Sequence, residues 1–370
     1  MRQTLVMALA LVIGCGLGAC KKEAGTPAKG ASSSAKSVKH PGLYPIKDPA
    51  TKKMGYVDAS GKWIVSPRFR RTEAFAEGLA AVVDDDSGSA GFINAKGELA
   101  IFPRFAIASS FSEGLAAVAI VRQDIRKWGY VDRDGRLVVD HEHGSAFEFH
   151  DGVAFVRKES QRGPVMAENT WGVIDRTGKF VVPYRYEMSL SRFRFSEGLG
   201  RVKTEKGWGY IDSTGKMVVR PEFTDAGDFA EGLAPVQVDH GKWGYIDKTG
   251  KLVINPTFNS AEPFSEGLAV VEVGDEKDGK SGFIDRTGKI VIAADWQGAD
   301  TFKEGLAGVS RGEKRGYIDK TGKIVVPLTY DQTDPFSGGM AVVGQGDKED
   351  DRKLGLVDRT GKVVWIAAHK

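Results

Sequence analysis

The stretch that decides the fold is Gly232–Glu266, GLAPVQVDHGKWGYIDKTGKLVINPTFNSAEPFSE. It contains three short runs, LAPVQV, WGYID and LVI, that are rich in β-branched and aromatic residues and separated by turn residues. Such runs are typical of β-strands. Since no helical period is sustained between them, the stretch predicts three consecutive antiparallel strands.

The link between the second and third predicted strands has the chemistry of a tight turn. Asp247 can accept hydrogen bonds from turn amides, and Gly250 can adopt a positive φ angle. Pro256 has no amide hydrogen and therefore ends strand pairing. We expect Phe258 and Phe264, which flank a polar connection, to pack back into the core.

This pattern recurs along the chain beyond residue 40. Its Gly-Leu-like start occurs nine times at spacings of 34 to 46 residues, at Gly42, Gly78, Gly114, Gly152, Gly198, Gly232, Gly267, Gly305 and Gly339. The longest spacing contains the extra stretch 160–170, and the ninth unit stops early at residue 370. Self-similarity at such a period is the signature of a solenoid, a propeller or an array. The sequence therefore predicts an all-β protein of about nine tandem hairpin-based units.

These units can be arranged either as an open array or as a closed propeller. Propellers typically have four to eight blades of four strands, whereas this chain shows nine starts and three convincing strands per unit. The chain also begins near a unit start and ends part-way through a unit, as an open array with a terminal cap would. We therefore predict an open or curled β-array, with a closed propeller-like toroid as the alternative.

Four units carry a Trp-Gly pair followed by an apolar strand, an Asp and a Gly-Lys or Gly-Arg turn. The pairs begin at Trp128, Trp171, Trp208 and Trp243. This pattern resembles the bacterial WG (KWG) repeats, over nearly all of residues 41–370. Five units depart from it at the Trp position, with Met54, Ala90, Ser281, Arg315 and Leu354. The resemblance implies β-hairpin repeats in bacterial, often exported proteins, and implies no shared reaction or ligand.

The N-terminal residues predict an address in the cell envelope. Residues 1–19 have a basic start at Arg2 and an apolar segment too short to span a bilayer, as a signal peptide does. Leu17-Gly18-Ala19-Cys20 resembles the bacterial lipobox, which implies palmitate-type acylation of Cys20 and anchoring to the membrane. Residues 20–40 then form a predicted flexible tether rich in Lys, Ala and Ser, and residues 41–370 form the repeat domain. Because Lys21 rather than Asp follows Cys20, the resemblance points to the outer membrane if the source is Gram-negative.

Composition excludes several classes of protein. Both cysteines, Cys15 and Cys20, precede the repeats, so the repeats can hold no disulfide, thiolate metal site or Cys nucleophile. Beyond residue 40 the chain has 46 basic and 48 acidic residues. A domain this close to neutral lacks the basic footprint of a nucleic-acid-binding protein. We expect no cofactor, and the basic tether is suited to anionic lipid headgroups.

The repeated acids are the most obvious candidates for chemistry. Paired carboxylates can hydrolyse glycosidic bonds, but an acid that returns at one turn of every unit favours a turn cap. Asn94 stands at that turn in the second unit and supports this interpretation, because it caps without ionising. The Glu that precedes most Gly-Leu starts is interpreted as a surface turn position for the same reason.

The third unit departs from the pattern at Asp140-His141-Glu142-His143. Two His two residues apart project to one side of an extended segment and can suit a transition metal. The interpretation we favour is a polar loop in a degenerate unit. The acidic stretches Asp84–Gly88 and Asp347–Asp351 lack the spaced ligands of an EF-hand, so we predict no metal site.

Aromatic side chains offer the better indication of function. If Trp128, Trp171, Trp208 and Trp243 face outward, they form a row that could stack on sugars or hold an extended peptide. If they face inward, they form a core ladder, which is the interpretation we favour. We predict a non-catalytic, envelope-anchored scaffold that binds a protein or an envelope glycan. The alternative is an envelope hydrolase or lyase that uses one specialised unit.

Overall fold

The structure is a computed structural model that describes residues 41–158, 170–187, 194–238, 241–275, 278–346 and 352–368. The predicted signal peptide, Cys20, the tether and most of the stretch 160–170 lie outside these residues, as does Asp347–Asp351. Within the described part of the chain all regular elements are strands, and no helix has the length and apolar character needed to cross a membrane.

The described strands form eight antiparallel sheets, one of six strands and seven of four. The six-stranded sheet contains β1 (Tyr44–Lys47), β2 (Met54–Val57), β3 (Trp63–Thr72), β4 (Leu79–Asp84), β5 (Ala90–Asn94) and β6 (Leu99–Phe105). The next three sheets contain β7 (Ile107–Ala108), β8 (Leu115–Arg122), β9 (Ile125–Asp132), β10 (Leu137–His143); β11 (Ser145–Ala146), β12 (Val153–Arg157), β13 (Thr170–Asp175), β14 (Phe180–Glu187); and β15 (Phe195–Ser196), β16 (Leu199–Thr204), β17 (Gly207–Asp212), β18 (Met217–Phe223).

The remaining sheets repeat the same order. They contain β19 (Asp225–Ala226), β20 (Leu233–Gln237), β21 (Trp243–Asp247), β22 (Leu252–Phe258); β23 (Ser260–Ala261), β24 (Ala269–Val273), β25 (Lys280–Ile284), β26 (Ile290–Trp296); β27 (Gly298–Ala299), β28 (Leu306–Arg311), β29 (Lys314–Asp319), β30 (Ile324–Tyr330); and β31 (Gln332–Thr333), β32 (Met340–Gln345), β33 (Lys353–Asp358), β34 (Val363–Trp365).

Each four-stranded sheet adds one short strand to the three that were predicted. In the sixth sheet the short strand β23 comes from the polar connection after Phe258 and pairs with β24 through Ala261 and Val271. Phe258 and Phe264 are both buried, so the prediction that they pack into the core is confirmed. The sequence does not reveal the fourth strand because two residues are too few to show a period.

The nine units occupy eight sheets because β3 is continuous. Its first half pairs with β2, and its last residues Arg71 and Thr72 pair with Val83 and Val82 of β4. Arg71 and Thr72 therefore take the place that a separate short strand has in the later units. The prediction of an all-β chain of tandem units is confirmed.

The first and last units pack against each other and close the ring. The Tyr44 hydroxyl donates to the Gly338 carbonyl at 2.8 Å, and the Trp63 indole N–H donates to the Ala367 carbonyl at 3.2 Å. Between them lies a buried apolar cluster that includes Ile46 and Ile366. The open array is therefore wrong, and the fold is the closed propeller. The truncated end is not a cap, because it completes the junction with the first unit.

The glycine of each Trp-Gly pair is required by a close approach of two backbones. A Cβ on Gly244 would lie 2.5 Å from the Ile254 carbonyl oxygen of the next strand. The register between β21 and β22 shifts at this point, as it does in a bulge. Glycine therefore recurs inside the strand because no other residue leaves room for the bulged partner.

The predicted turn caps are confirmed. Asp247 Oδ1 accepts the Thr249 amide at 2.9 Å and the Lys251 amide at 3.1 Å, and Gly250 has a φ of 87°. The Thr249 hydroxyl also donates to Asp247, and this contact lowers the pKa of the carboxyl group. The same cap forms at Asp58, Asn94, Asp132, Asp175, Asp212, Asp285, Asp319 and Asp358.

Candidate functional site

The acid that precedes seven of the nine unit starts accepts a hydrogen bond from the neighbouring unit and so links the two. Glu231 has a φ of 53°, and its Oε2 accepts the amide of Gly267 in the next unit at 3.0 Å. Equivalent bonds run from Glu77, Glu113, Asp151, Glu197, Glu266 and Glu304 to Gly114, Gly152, Gly198, Gly232, Gly305 and Gly339. The interpretation of this acid as a surface turn position is therefore incomplete, because it joins one unit to the next.

The ring contains a half-open cavity of about 760 Å³. Its walls come from five consecutive units, through side chains such as Ser110, Glu148, Arg201, Trp243 and Glu262. A second cavity of about 460 Å³ lies beside it and shares Ser110, Phe147 and Glu148. Five consecutive units of a closed ring meet only near its axis, so we call the larger space the axial cavity.

The innermost side chains differ from unit to unit. In seven described units the residue directly after the innermost strand segment donates its backbone amide to a carbonyl of the next strand. These residues are Glu73, Ser109, Phe147, Gly227, Glu262, Asp300 and Asp334. The turn caps and the glycines of the Trp-Gly pairs, by contrast, return almost unchanged. Variation is therefore concentrated where the units face the axis, whereas the residues that build the units are uniform.

The two arginines of the axial cavity converge on one carboxylate. Arg194 Nε lies 3.1 Å from Asp228 Oδ2, and Arg201 Nε lies 3.1 Å from Asp228 Oδ1. Arg201 also donates to the Ala226 carbonyl. The Asp228 side chain is only 15% exposed, so this contact is partly shielded from solvent.

Two other carboxylates of the cavity, those of Glu148 and Glu262, are not paired with an arginine in the described part of the chain. Among the described residues neither Glu148 nor Glu262 has a side-chain hydrogen bond or an ion pair. Glu262 is an exposed residue, but the protein around its carboxyl group partly desolvates it and raises its pKa. These side chains are therefore free to meet a group that enters the cavity.

A family model described as a WG-containing repeat matches eight consecutive segments of the chain. The matched residues are 54–86, 91–123, 128–160, 171–207, 208–243, 243–276, 282–314 and 316–348. The chain belongs to the WG-repeat family. Each matched segment begins at the Gly of a Trp-Gly pair or its equivalent, or one residue before it, so the family repeat is offset from the unit defined by the Gly-Leu start.

Solved structures similar to this WG-repeat protein are distant. Apo AztD from Citrobacter koseri has 15% identity and a TM-score of 0.45, over 88% of this chain and 94% of that chain. BamB from Moraxella catarrhalis has 14% identity and a TM-score of 0.39, over 89% and 94%. The β-propeller domain of the Trilobed protease from Pyrococcus furiosus has 9% identity and a TM-score of 0.43, over 80% and 97%. No curated protein sequence matches the chain.

The four tryptophans proposed as binding residues divide into two pairs. Trp171 and Trp208 are buried in the core, at 1% and 5% exposure, and Trp171 stacks on Phe147. Trp128 and Trp243 are partly buried and line the smaller cavity and the axial cavity, respectively. The four side chains therefore do not form an outward-facing row, and a binding role remains a prediction for Trp128 and Trp243.

His141 and His143 lie on a strand rather than in a polar loop, so that interpretation is wrong. Both side chains lie on the buried face of β10. His143 pairs with Trp128 on the neighbouring strand, and Phe258 holds the equivalent position opposite Trp243 in another sheet. His143 Nδ1 lies 2.7 Å from the Tyr184 hydroxyl oxygen, and burial lowers the pKa of His143 to about 4. Within the described residues no group of three or more His, Cys, Asp or Glu side chains could hold a metal ion.

Sequence reasoning proposed Trp243 but missed the carboxylates that line the axial cavity. Glu148 and Glu262 fall in the polar connection between two predicted strands, where no pattern distinguishes an inward side chain from a solvent-exposed one. The signal that could have found them is that this connection varies between units while the phenylalanine that follows it, such as Phe149 or Phe264, recurs. Catalytic or binding residues are often carried on such connections, which a rigid scaffold holds in place.

Proposed function

We propose that this WG-repeat propeller is a non-catalytic binding scaffold of the cell envelope and that its axial cavity is the binding site. The observation that carries the proposal is the contrast between uniform framework positions and varied axial positions. Recognition of one ligand needs an asymmetric set of side chains, and in a repeat protein that asymmetry has to arise where the units differ. The axial cavity combines such side chains with a volume typical of ligand sites.

The partner that fits the proposal is a protein segment or an envelope glycan that reaches into the cavity. Trp243 offers an aromatic wall on which a sugar or a side chain can pack. The turn carboxylates that might suggest a hydrolase are engaged in their own turns, and hydrogen bonds lower the pKa of Asp247, Asp285 and Asp319. This favours a supporting role for the repeated acids.

Placement in the envelope rests on the N-terminal residues. The lipobox-like Leu17-Gly18-Ala19-Cys20 would attach the chain to a membrane, and the basic tether would let the propeller sit off the bilayer. Several acyl chains would give stable attachment, because each buried CH₂ contributes about 0.8 kcal/mol. The propeller would then be held near partners of the same compartment.

The test blocks the cavity and follows the partner. Ser110 lines both cavities, so Ser110→Trp should fill the space between them. Val121→Trp is the matched control, because Val121 belongs to β8 of the sheet that Ser110 adjoins but is 57% exposed. After cross-linking in the native envelope, we expect wild type and Val121→Trp to retain one common partner and a folded Ser110→Trp to lose it. Undiminished capture by Ser110→Trp would show that the axial cavity is not the site.

A further inference from the structure

The charged groups of the axial cavity leave an excess of negative charge. Its walls carry Glu148, Asp225, Asp228 and Glu262 against Arg194 and Arg201. Both arginines contact Asp228, at 3.1 Å each. Their positive charge is therefore directed toward Asp228 and not toward the two free glutamates.

The environment of Glu262 makes a cation the natural counterpart. Desolvation in the cavity raises the pKa of this carboxyl group, which means that the surrounding protein disfavours its charged form. A positively charged group placed nearby would reverse that effect, because an opposite charge stabilises the ionised carboxylate. Glu148 lines the same cavity and would provide a second carboxylate.

The third element is aromatic. Trp243 lines the cavity and is partly buried, so one side of its indole is already supported by protein. An indole ring attracts an ammonium group through its negative face. Aromatic and carboxylate groups that line one half-open cavity are a combination that recognises organic cations and disfavours anions.

We infer that the axial cavity binds a ligand bearing primary ammonium groups, with Glu148, Glu262 and Trp243 as its contacts. The inference rests on the proposed function, which it deepens by naming the ligand chemistry. The ammonium groups can come from a free polyamine or from lysine side chains of a partner, and both sources present the same chemistry to the cavity. The volume of about 760 Å³ accommodates several linked methylene and ammonium groups.

The experiment is calorimetric titration of the purified full-length protein with spermidine and, separately, with an end-blocked trilysine peptide. We expect binding of at least one of them and no binding of 1,5-pentanediol, which is neutral. Glu148→Gln and Glu262→Gln keep the shape of each side chain and remove its charge, and each should weaken binding about tenfold. Trp243→Leu should weaken it about threefold by removing the cation–π contact.

Glu222→Gln is the matched control, because Glu222 is an exposed acid of β18 outside the cavity. It changes the net charge of the protein by the same amount and should leave binding unchanged. Equal losses in Glu222→Gln and Glu262→Gln would mean non-specific attraction to a surface and would overturn the inference. Binding of the peptide but not of spermidine would support it and identify a protein as the source.

Failure of the inference can be told from failure of the proposed function. If neither ammonium probe binds while Ser110→Trp still abolishes partner capture, the cavity is a binding site for other chemistry and only the ammonium inference is overturned. If both experiments are negative, the axial cavity is not the site and the proposed function falls as well.

Discussion

Glu231 reaches across the boundary between two units and accepts the backbone amide of Gly267, with 3.0 Å between Oε2 and the nitrogen. A bond of this kind recurs seven times around the described ring and ties the start of one unit to the turn of the unit before it. The acid adopts a left-handed backbone conformation that glycine would favour. The hydrogen bond from the Gly267 amide to Glu231 therefore forms at a small cost in backbone strain at Glu231.

The first prediction concerns this link. Glu231→Ala removes the acceptor and leaves the Gly267 amide without it, so we expect the free energy of unfolding to fall by about 1.5–3 kcal/mol, the range for a hydrogen bond to a charged group. Chemical denaturation of the purified protein measures the change. Glu222→Ala, an exposed acid on an outer strand, should change stability by less than about 0.5 kcal/mol. Equal effects of the two substitutions would contradict a linking role for Glu231.

The second prediction tests ring closure. Ile366 is 6% exposed and packs with Tyr44 and Ile46 of the first unit. Ile366→Ala should therefore cost about 2–5 kcal/mol, as large-to-small changes in a core do. In an open array this residue would lie at a free end, and its replacement would have little effect. Val253→Ala, at a side chain that is 47% exposed, is the control.

The third prediction concerns the glycine of the Trp-Gly pair. A Cβ at residue 244 would lie 2.5 Å from the Ile254 carbonyl oxygen and 2.8 Å from the Pro256 nitrogen. Because both are backbone atoms, neither can move without disturbing the bulge, and we expect Gly244→Ala to destabilise the protein by about 3 kcal/mol or more. Thermal unfolding monitored by circular dichroism measures the loss of stability. Ser281→Ala is the control, because Ser281 directly precedes Gly282, the glycine equivalent to Gly244 in the next unit. A small cost for Gly244→Ala would contradict the packing reason for this glycine.

The fourth prediction is a pH dependence that arises from His143. Burial lowers the pKa of this side chain to about 4, against about 6.5 in an unfolded chain. Above pH 6.5 both states are neutral and the full stability is present. Between pH 6.5 and pH 4 the unfolded state takes up a proton that the native state does not. Stability should therefore fall by up to about 3 kcal/mol over this window through His143.

His143→Phe provides the comparison, because phenylalanine stands at the equivalent position in other units, as at Phe258. Denaturation midpoints measured from pH 7.5 to pH 4 should fall less steeply for His143→Phe than for wild type. Parallel profiles would show that His143 does not contribute to the acid sensitivity.

The fifth prediction concerns membrane attachment, which the described residues do not test. Cys20→Ala should abolish incorporation of labelled palmitate, because the lipobox-like motif supplies no other thiol at the cleavage position. The repeat domain should unfold cooperatively as before, since no thiol lies within it. Cys15→Ala should incorporate label like wild type. Label in Cys20→Ala would show that the lipobox interpretation is wrong.

Much of the local structure could be predicted from residues within one unit. The cap at Asp247, the positive φ of Gly250 and the burial of Phe258 and Phe264 all follow from short-range chemistry. The link from Glu231 to Gly267 could not be predicted, because its partners are 36 residues apart and depend on how two units pack. The same holds for His143, whose neighbour Tyr184 belongs to the next unit.

The sequence by itself determined the all-β class, the repeating unit and its turns, because each of these depends on residues close together in the chain. Only the tertiary structure decided that the ring closes between Tyr44 and Gly338 and that Glu148 and Glu262 line one cavity. Closure is the sum of small rotations between successive units, and a small difference in each rotation separates an open array from a ring. The axial cavity exists only once the ring is closed, so residues within one unit could not show that Glu148, Glu262 and Trp243 line the same space.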